Sequence, residues 1–240
     1  MANPNSALIW LPKIIEAGLP VPRTEIVPYC HDLVMPIFDG KESAELDRLE
    51  GAVKDAGEKI GYPVFIRSDL TSAKHSGPKS YRANDAADVG RVIVATVEDN
   101  ELKTWLDPRG GPQAILVREF LILPAPFTAF HGLPISREWR FFADLERIHC
   151  SHPYWPEGPL EGQPGLPENW RELLAELQQP SIQHKALEGM AVQAAAACGG
   201  GVWSMDFAQD ASGKWWLIDM AVAGDSWHWP GCPNSNEKEK

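Results

Sequence analysis

The sequence of 240 residues has little cysteine, no surplus of positive charge and no long apolar run. Its four cysteines, Cys30, Cys150, Cys198 and Cys232, stand singly, and no Cys-x-x-Cys pair occurs. That spacing argues against a zinc ribbon or a thioredoxin-type dithiol and reads as four inert, buried thiols. Lysine and arginine total 22 against 33 aspartates and glutamates, a formal net charge of −11. Nonspecific nucleic-acid affinity comes from Lys and Arg on phosphates, so no nucleic-acid partner is expected. No stretch approaches the roughly 20 apolar residues of a membrane helix, and the N-terminus lacks the basic region of a secretory leader. A cytoplasmic protein without a membrane partner is the expectation. Also missing are the GxxxxGK[ST] phosphate loop, GxGxxG, GxSxG and HExxH.

What is present is a mixed order of helices and hairpins. Hydrophobic residues make up 44% and charged residues 23%, values of an ordinary globular chain. Residues 7–17 read as a helix stopped by Gly18, and "TEIVPY" as a short strand. "SAELDRLEGAVKDAGEKI" is an amphipathic helix with Ser43 as N-cap and Gly61 as its end. "YPVFIR" and "AILVREFLIL" have the near-continuous apolar character of buried strands. "ADVGRVIVATVEDN" fits a helix, although its β-branched run leaves a strand open. "SDLTSAKHSGPKSYR" reads as a flexible polar loop, and "PYWPEGPLEGQPGLPEN" as a Pro- and Gly-rich surface loop. "EWRFFADLERIHCSH" and "VWSMDFAQDASGKWWLIDMAV" are hairpins. Such an order points to an α+β architecture rather than a doubly wound sheet.

Three groups of residues can carry chemistry. In the last hairpin, Asp206 and Asp219 fall roughly opposite each other on partner strands. Two facing carboxylates in an apolar hairpin repel unless a cation neutralises them, and oxygen-only ligation suits Mg²⁺. Two unrelated strand-end aspartates in solvent are the other reading. Arg67 closes an apolar strand, and Lys74 follows on the loop, so the pair can grip phosphate from two sides or be ordinary surface charge. Glu138 and Arg140 share one strand face, either as a salt bridge or with the arginine turned to an anion.

These segments, in this order, resemble the ATP-grasp superfamily over roughly residues 18–226. "IGYPVFIRSDLTSAKHSG" is similar to its phosphate-contacting strand and loop, and "AILVREFL" to the strand leading to the adenine site. "REWRFFADLERI" resembles the family's E-x-R-x-F hairpin, and the final hairpin its metal-binding one. Arg at position 67 with a downstream Lys resembles a small bacterial and phage clade related to the eukaryotic cell-division-cycle proteins that assist translation-initiation-factor assembly.

The resemblance implies two α+β subdomains with nucleotide in the cleft between them. It divides the chain into a short segment over 1–59, a first subdomain over 60–118, a second over 119–233 and a disordered tail over 234–240. It implies ATP and Mg²⁺ as cofactors. Arg67 and Lys74 would hold phosphates, the backbone of Glu119, Phe120 and Leu121 the adenine edge, and Glu138 the ribose. Arg140 and Lys74 would act catalytically, with Arg140 facing the γ-phosphate or an acyl-phosphate. Asp206 and Asp219 would ligate the metal. Where the family carries Asn, this chain has Ala221, and Asp225 would supply the missing oxygen. The implied reaction joins a carboxylate to an amine or other nucleophile, small or carried on a peptide or protein. An ATP-binding assembly factor without ligase turnover and a phosphotransferase are the alternatives.

Overall fold

The computed structural model describes residues 3–72, 74–106, 109–229 and 231–235. Its helices are α1 (Ala7–Glu16), α2 (His31–Val34), α3 (Ala44–Ile60), α4 (Val89–Leu106), α5 (Glu157–Leu160), α6 (Trp170–Leu177) and α7 (His184–Cys198). The strands are β1 (Thr24–Pro28), β2 (Val64–Ser68), β3 (Arg82–Ala83), β4 (Ala114–Glu119), β5 (Phe127–Ala129), β6 (Leu133–Ile135), β7 (Glu138–Ala143), β8 (Ile148–Pro153), β9 (Trp203–Gln209) and β10 (Trp215–Val222). Among the described residues no helix is long and apolar enough to cross a membrane. Two compact units emerge. One comprises Met1–Leu8, Pro22–Leu121 and His131–Leu133; the other comprises Ile9–Val21, Ile122–Phe130 and Pro134–Lys240.

The first unit is an antiparallel sheet of order β1-β4-β2-β3. The sequence reading sets residues 1–59 apart, but β1 is the edge strand of this same sheet, so β1 and α3 belong with β2 and β4. Alternation along each strand divides the sheet into two unlike faces. Val27, Val64, Ile66, Ala83, Ile115 and Val117 turn to one side and join the buried residues of α3 and α4 in a single core. Helix α3 is started by Ser43, whose hydroxyl accepts from the Leu46 amide at 3.1 Å, and it buries Leu49, Val53, Ala56 and Ile60. The β-branched segment is helical in α4: Val89, Val92, Ile93 and Val97 are fully buried, and the Thr96 hydroxyl donates to the Val92 carbonyl.

The second unit is an antiparallel sheet of order β10-β9-β7-β8. One face carries Trp139, Phe141, Met205, Phe207 and Leu217, all buried. On that side α7 packs, with His184 edge-on to Trp139 at 4.5 Å between centroids. The segment read as a surface loop instead contains helix α5 and buries Trp155 and Leu160. Two apolar anchors five residues apart tie down what its prolines and glycines suggested would stay free. Asn234 and Ser235, assigned by sequence to a disordered tail, hydrogen-bond to the carbonyls of His149 and Cys232. Residues 236–240 of that tail lie outside the described residues.

An aspartate closes each hairpin of this sheet. Asp144 accepts from the amides of Glu146 and Arg147. Asp210 accepts from the Ser212 amide and hydroxyl, the Lys214 amide and the Trp216 indole, at 2.6–3.1 Å. Burial alone would raise the Asp210 pKa, but these hydrogen bonds hold it at about 2. A depressed carboxyl pKa adds stability that is fully present above the unfolded value near 3.9 and is lost as pH falls through the folded one. The β9–β10 turn should therefore keep its geometry below about pH 4 and loosen near about pH 2. Carboxyl NMR titration checks this; an Asp210 midpoint at the unfolded value would contradict it.

Candidate functional site

The first unit's second sheet face is cationic. Register places Arg82, Phe65, Arg118 and Thr24 in one row across the four strands, and Arg67 beside Leu116 in the next. Paired residues of an antiparallel ladder project to the same side, so Arg67, Arg82 and Arg118 share one face. Arg67 and Arg118 are each only 4% exposed. The Arg67 Nε donates to the Ser68 carbonyl at 3.0 Å, and the Arg82 guanidinium lies over the Phe120 ring at 4.6 Å. The sequence alone points to Arg67. It misses Arg82, which sits on a two-residue strand too short to leave a periodic signal.

The loop after β2 is built rather than loose. The Ser68 hydroxyl accepts from the amides of Leu70 and Thr71 and donates to Asn100. Asp69, 1% exposed, accepts from the amides of Gln113 and Ala114. Lys74 starts one 3-10 turn (Lys74–Ser76), and Pro78 starts a second (Pro78–Ser80). Between them Gly77 has φ +92°, and a β-carbon there would come within 3.0 Å of the His131 carbonyl oxygen. Tyr81 is buried against Phe65 at 5.0 Å between centroids. Ala73, within the same loop, lies outside the described residues.

β4 ends at Glu119, and Phe120 and Leu121 continue beyond the ladder. The Glu119 amide already donates to the Arg23 carbonyl at 2.8 Å, and its carboxylate pairs with Arg23. Any contact of Glu119 to a ligand edge would use its carbonyl, so the amide donors would be those of Phe120 or Leu121.

In the second unit four polar side chains align across all four strands. His152 on β8 pairs with Arg140 on β7, Arg140 with Asp206 on β9, and Asp206 with Asp219 on β10. Arg140 binds Asp206 through two parallel bonds, Nε to Oδ1 at 2.7 Å and Nη2 to Oδ2 at 2.8 Å. Its Nη1 donates to the Trp227 carbonyl at 3.3 Å, and the guanidinium sits over Tyr154. Burial would lower the Arg140 pKa, yet the charge and hydrogen bonds of Asp206 hold it above the ordinary arginine value. Arg140 thus ion-pairs with Asp206 and not with Glu138. Glu138 is buried and accepts from the Ser136 hydroxyl at 2.8 Å and the Trp155 indole at 3.3 Å.

The Asp219 Oδ1 accepts from the Met220 amide. One row further on, Ala221 pairs with Ser204, so position 221 adds no oxygen beside Asp219. Asp225 is exposed in the turn after β10. The two carboxylates fit a hard cation. Both Asp206 oxygens and the Asp219 Oδ1 have a second lone pair beyond the bond each accepts, and Mg²⁺ completes its shell with water and phosphate.

A further group was not legible as a motif. Cys150, His152, His228 and Cys232 each bring one ligand atom, and these atoms all lie within 4.8 Å of one another. Cys150 and Cys232 are half-buried and Cys30 is exposed, so of the four cysteines only Cys198 is the buried, isolated thiol the spacing suggested. The signal available was Cys-x-His at 150–152 and His-x-x-x-Cys at 228–232. A cavity of about 470 Å³ in this unit, lined by Pro20, Leu187, Met190 and Trp215, includes none of these groups.

No family model matches the sequence, and no curated protein matches it. Solved structures do match. C-terminally truncated Cdc123 from Schizosaccharomyces pombe aligns with TM-score 0.60 at 12% identity, over 91% of this chain and 83% of that one. The ATP-grasp ligase PsnB, complexed with a minimal precursor, aligns with TM-score 0.50 at 14% identity, over 97% and 56%. N5-carboxyaminoimidazole synthase from Aspergillus clavatus, in complex with ADP and a ribonucleotide, aligns with TM-score 0.50 at 11% identity, over 90% and 43%. The chain therefore spans about half the length of these last two proteins. Likeness at such identities concerns fold alone.

Proposed function

We propose that this chain, whose fold is that of the ATP-grasp proteins, is a cytoplasmic ATP-dependent ligase joining a carboxylate to an amine or other nucleophile. The observation that carries the reading is the aligned row of Arg140, Asp206 and Asp219, a cation and two carboxylates on adjacent strands. Arg67 and Lys74 of the first unit would hold phosphate oxygens, with Arg82 and Arg118 adding positive potential on the Arg67 face. The backbone at Glu119, Phe120 and Leu121 would meet the adenine edge, and Glu138 the ribose hydroxyls. In the second unit Asp206 and Asp219, with Asp225, would hold Mg²⁺. Magnesium, when bound, withdraws charge from the phosphate oxygens.

In the proposed reaction a substrate carboxylate oxygen bonds to the γ-phosphorus, and the bond to the departing ADP breaks. Amine nitrogen then attacks the acyl carbon, phosphate leaves, and the amine proton passes to solvent. Arg140 would steady the charge on the transferred phosphoryl group. No nucleophilic side chain is required, because positioning and charge neutralisation do the work.

A second reading, an ATP-binding assembly factor without turnover, is favoured by Ala221, which gives the metal row no further oxygen, and by the 83% coverage of Cdc123. ADP and free phosphate measured with and without an extract of amines and peptides separate the readings. Extract-dependent release of both products is expected. ADP without free phosphate would point to a phosphotransferase. ATP binding with no stimulated turnover would replace the ligase by the assembly factor, and absence of ATP binding would overturn both.

A further inference from the structure

Two Cys-His pairs converge on one spot of the second unit. Cys150 and His152 are alternate residues of β8 and project to the same face. His228 and Cys232 come from the segment after β10. The His228 Nδ1 lies 3.6 Å from the Cys150 Sγ and 3.6 Å from the Cys232 Sγ. Zinc bonds of about 2.3 Å to sulfur and about 2.0–2.1 Å to nitrogen set neighbouring S and N ligands of a tetrahedron about 3.5–3.6 Å apart. The two observed distances match that edge, and all four ligand atoms fit within the 4.8 Å spread.

Orientation is fixed by packing. His228 is 7% exposed and stacks on Phe142 at 3.7 Å between centroids; His152 lies parallel to Trp229. The His152 Nε2 is buried and makes no hydrogen bond among the described residues. A buried imidazole nitrogen without a partner costs free energy that a ligand would recover. The segment carrying His228 and Cys232 is already docked on β8, through the Trp229 indole on the Pro153 carbonyl at 2.8 Å and Asn234 on the His149 carbonyl at 3.0 Å.

We propose that Cys150, His152, His228 and Cys232 form a structural zinc site that staples the C-terminal segment to β8. Binding releases two thiol protons to solvent, so a dication and two thiolates make a neutral centre, tolerable beside the Arg140 guanidinium. Neutral imidazoles suit ligation, and burial lowers the pKa of both His152 and His228. Four protein ligands close the shell, which is the pattern of a structural rather than a catalytic zinc. The staple would also hold the Trp227 carbonyl that accepts from Arg140. The site is independent of the nucleotide reading.

Metal analysis of the full chain, purified from zinc-supplemented culture, tests the proposal. One zinc per chain is expected in the wild type and in Asp219→Asn, with loss in Cys150→Ser and in Cys232→Ser. Cobalt in place of zinc should give the intense visible bands of a tetrahedral ion and a thiolate charge-transfer band. Should the serine variants fail to fold, His152→Cys retains four ligands and should bind cobalt with a spectrum shifted towards three thiolates. A reduced wild-type protein that takes up neither zinc nor cobalt would overturn the site. So would unchanged zinc in both serine variants, or a Cys150–Cys232 disulfide in metal-free protein isolated with its thiols blocked at lysis.

Discussion

Asp206→Ala is expected to destabilise the second unit by about 3–5 kcal/mol, the cost of removing one partner from a buried ion pair. Arg140 makes both of its bonds to Asp206 from a side chain only 18% exposed, and Asp206 itself is 8% exposed. Truncation leaves a desolvated guanidinium facing a cavity, with Asp219 one strand further away. The spacing of Asp206 and Asp219 alone suggests the opposite sign, since neutralising one of two facing carboxylates removes their repulsion. Arg140 reverses that expectation because its charge lies beside Asp206 in the same row. At about 2–4 °C per kcal/mol for a domain of this size, thermal unfolding should fall by roughly 6–20 °C. Asp206→Asn keeps one acceptor oxygen and should lose less. The double variant Asp206→Ala with Arg140→Met removes both charges and should recover much of the loss. Differential scanning calorimetry on the metal-free protein decides; an Asp206→Ala midpoint equal to wild type would mean the pair contributes nothing.

The hairpins were legible because their signals are local. Alternation in "EWRFFAD" and "VWSMDFA", with Asp144 and Asp210 at the turns, fixes strand, turn and register within twenty residues. The same locality explains why Asp206 and Asp219 could be set opposite each other from sequence. Arg140 with Asp206 is a different case. Their pairing depends on β9 returning beside β7 after β8 and three intervening helices, and no spacing rule spans 66 residues. The zinc cluster is likewise split, half on β8 and half beyond β10, so each half looks like an isolated cysteine near an isolated histidine. Helix α4 was ambiguous because Val, Ile and Thr favour strands by propensity. Burial of its valine and isoleucine face against the sheet overrides that preference, and Thr96 satisfies its hydroxyl within the helix. The polar loop after β2 misled through composition. Ser68, Asp69 and Gly77 are flexible residue types by statistics, yet here they cap, bridge and turn.

Arg67→Ala is expected to weaken ATP binding by about tenfold to more than a hundredfold. The magnitude follows from losing a hydrogen bond to a charged group, roughly 1.5–3 kcal/mol. Arg67 sits where β2 passes into the loop bearing Lys74, next in register to Leu116 and on the face shared with Arg82 and Arg118. Its Nε is committed to the Ser68 carbonyl, which fixes the direction of the guanidinium. A guanidinium held in this way binds phosphate with less entropy to lose than a free lysine would. Arg67→Lys therefore tests geometry separately from charge: it keeps the cation but not the fork, and should recover only part of the affinity. Lys74→Ala should weaken binding by a similar mechanism while perturbing the fold less, since Lys74 is only half-buried. Because Arg67 is buried, its alanine variant needs a folding control, and the thermal midpoint of each variant without nucleotide supplies it. Titration calorimetry with ATP and Mg²⁺ reads the affinity. If folded Arg67→Ala and Lys74→Ala both bind ATP as the wild type does, this sheet face does not hold the phosphates. In that event the cationic face of the first unit needs another anion to explain it, and the ligase reading loses its nucleotide half.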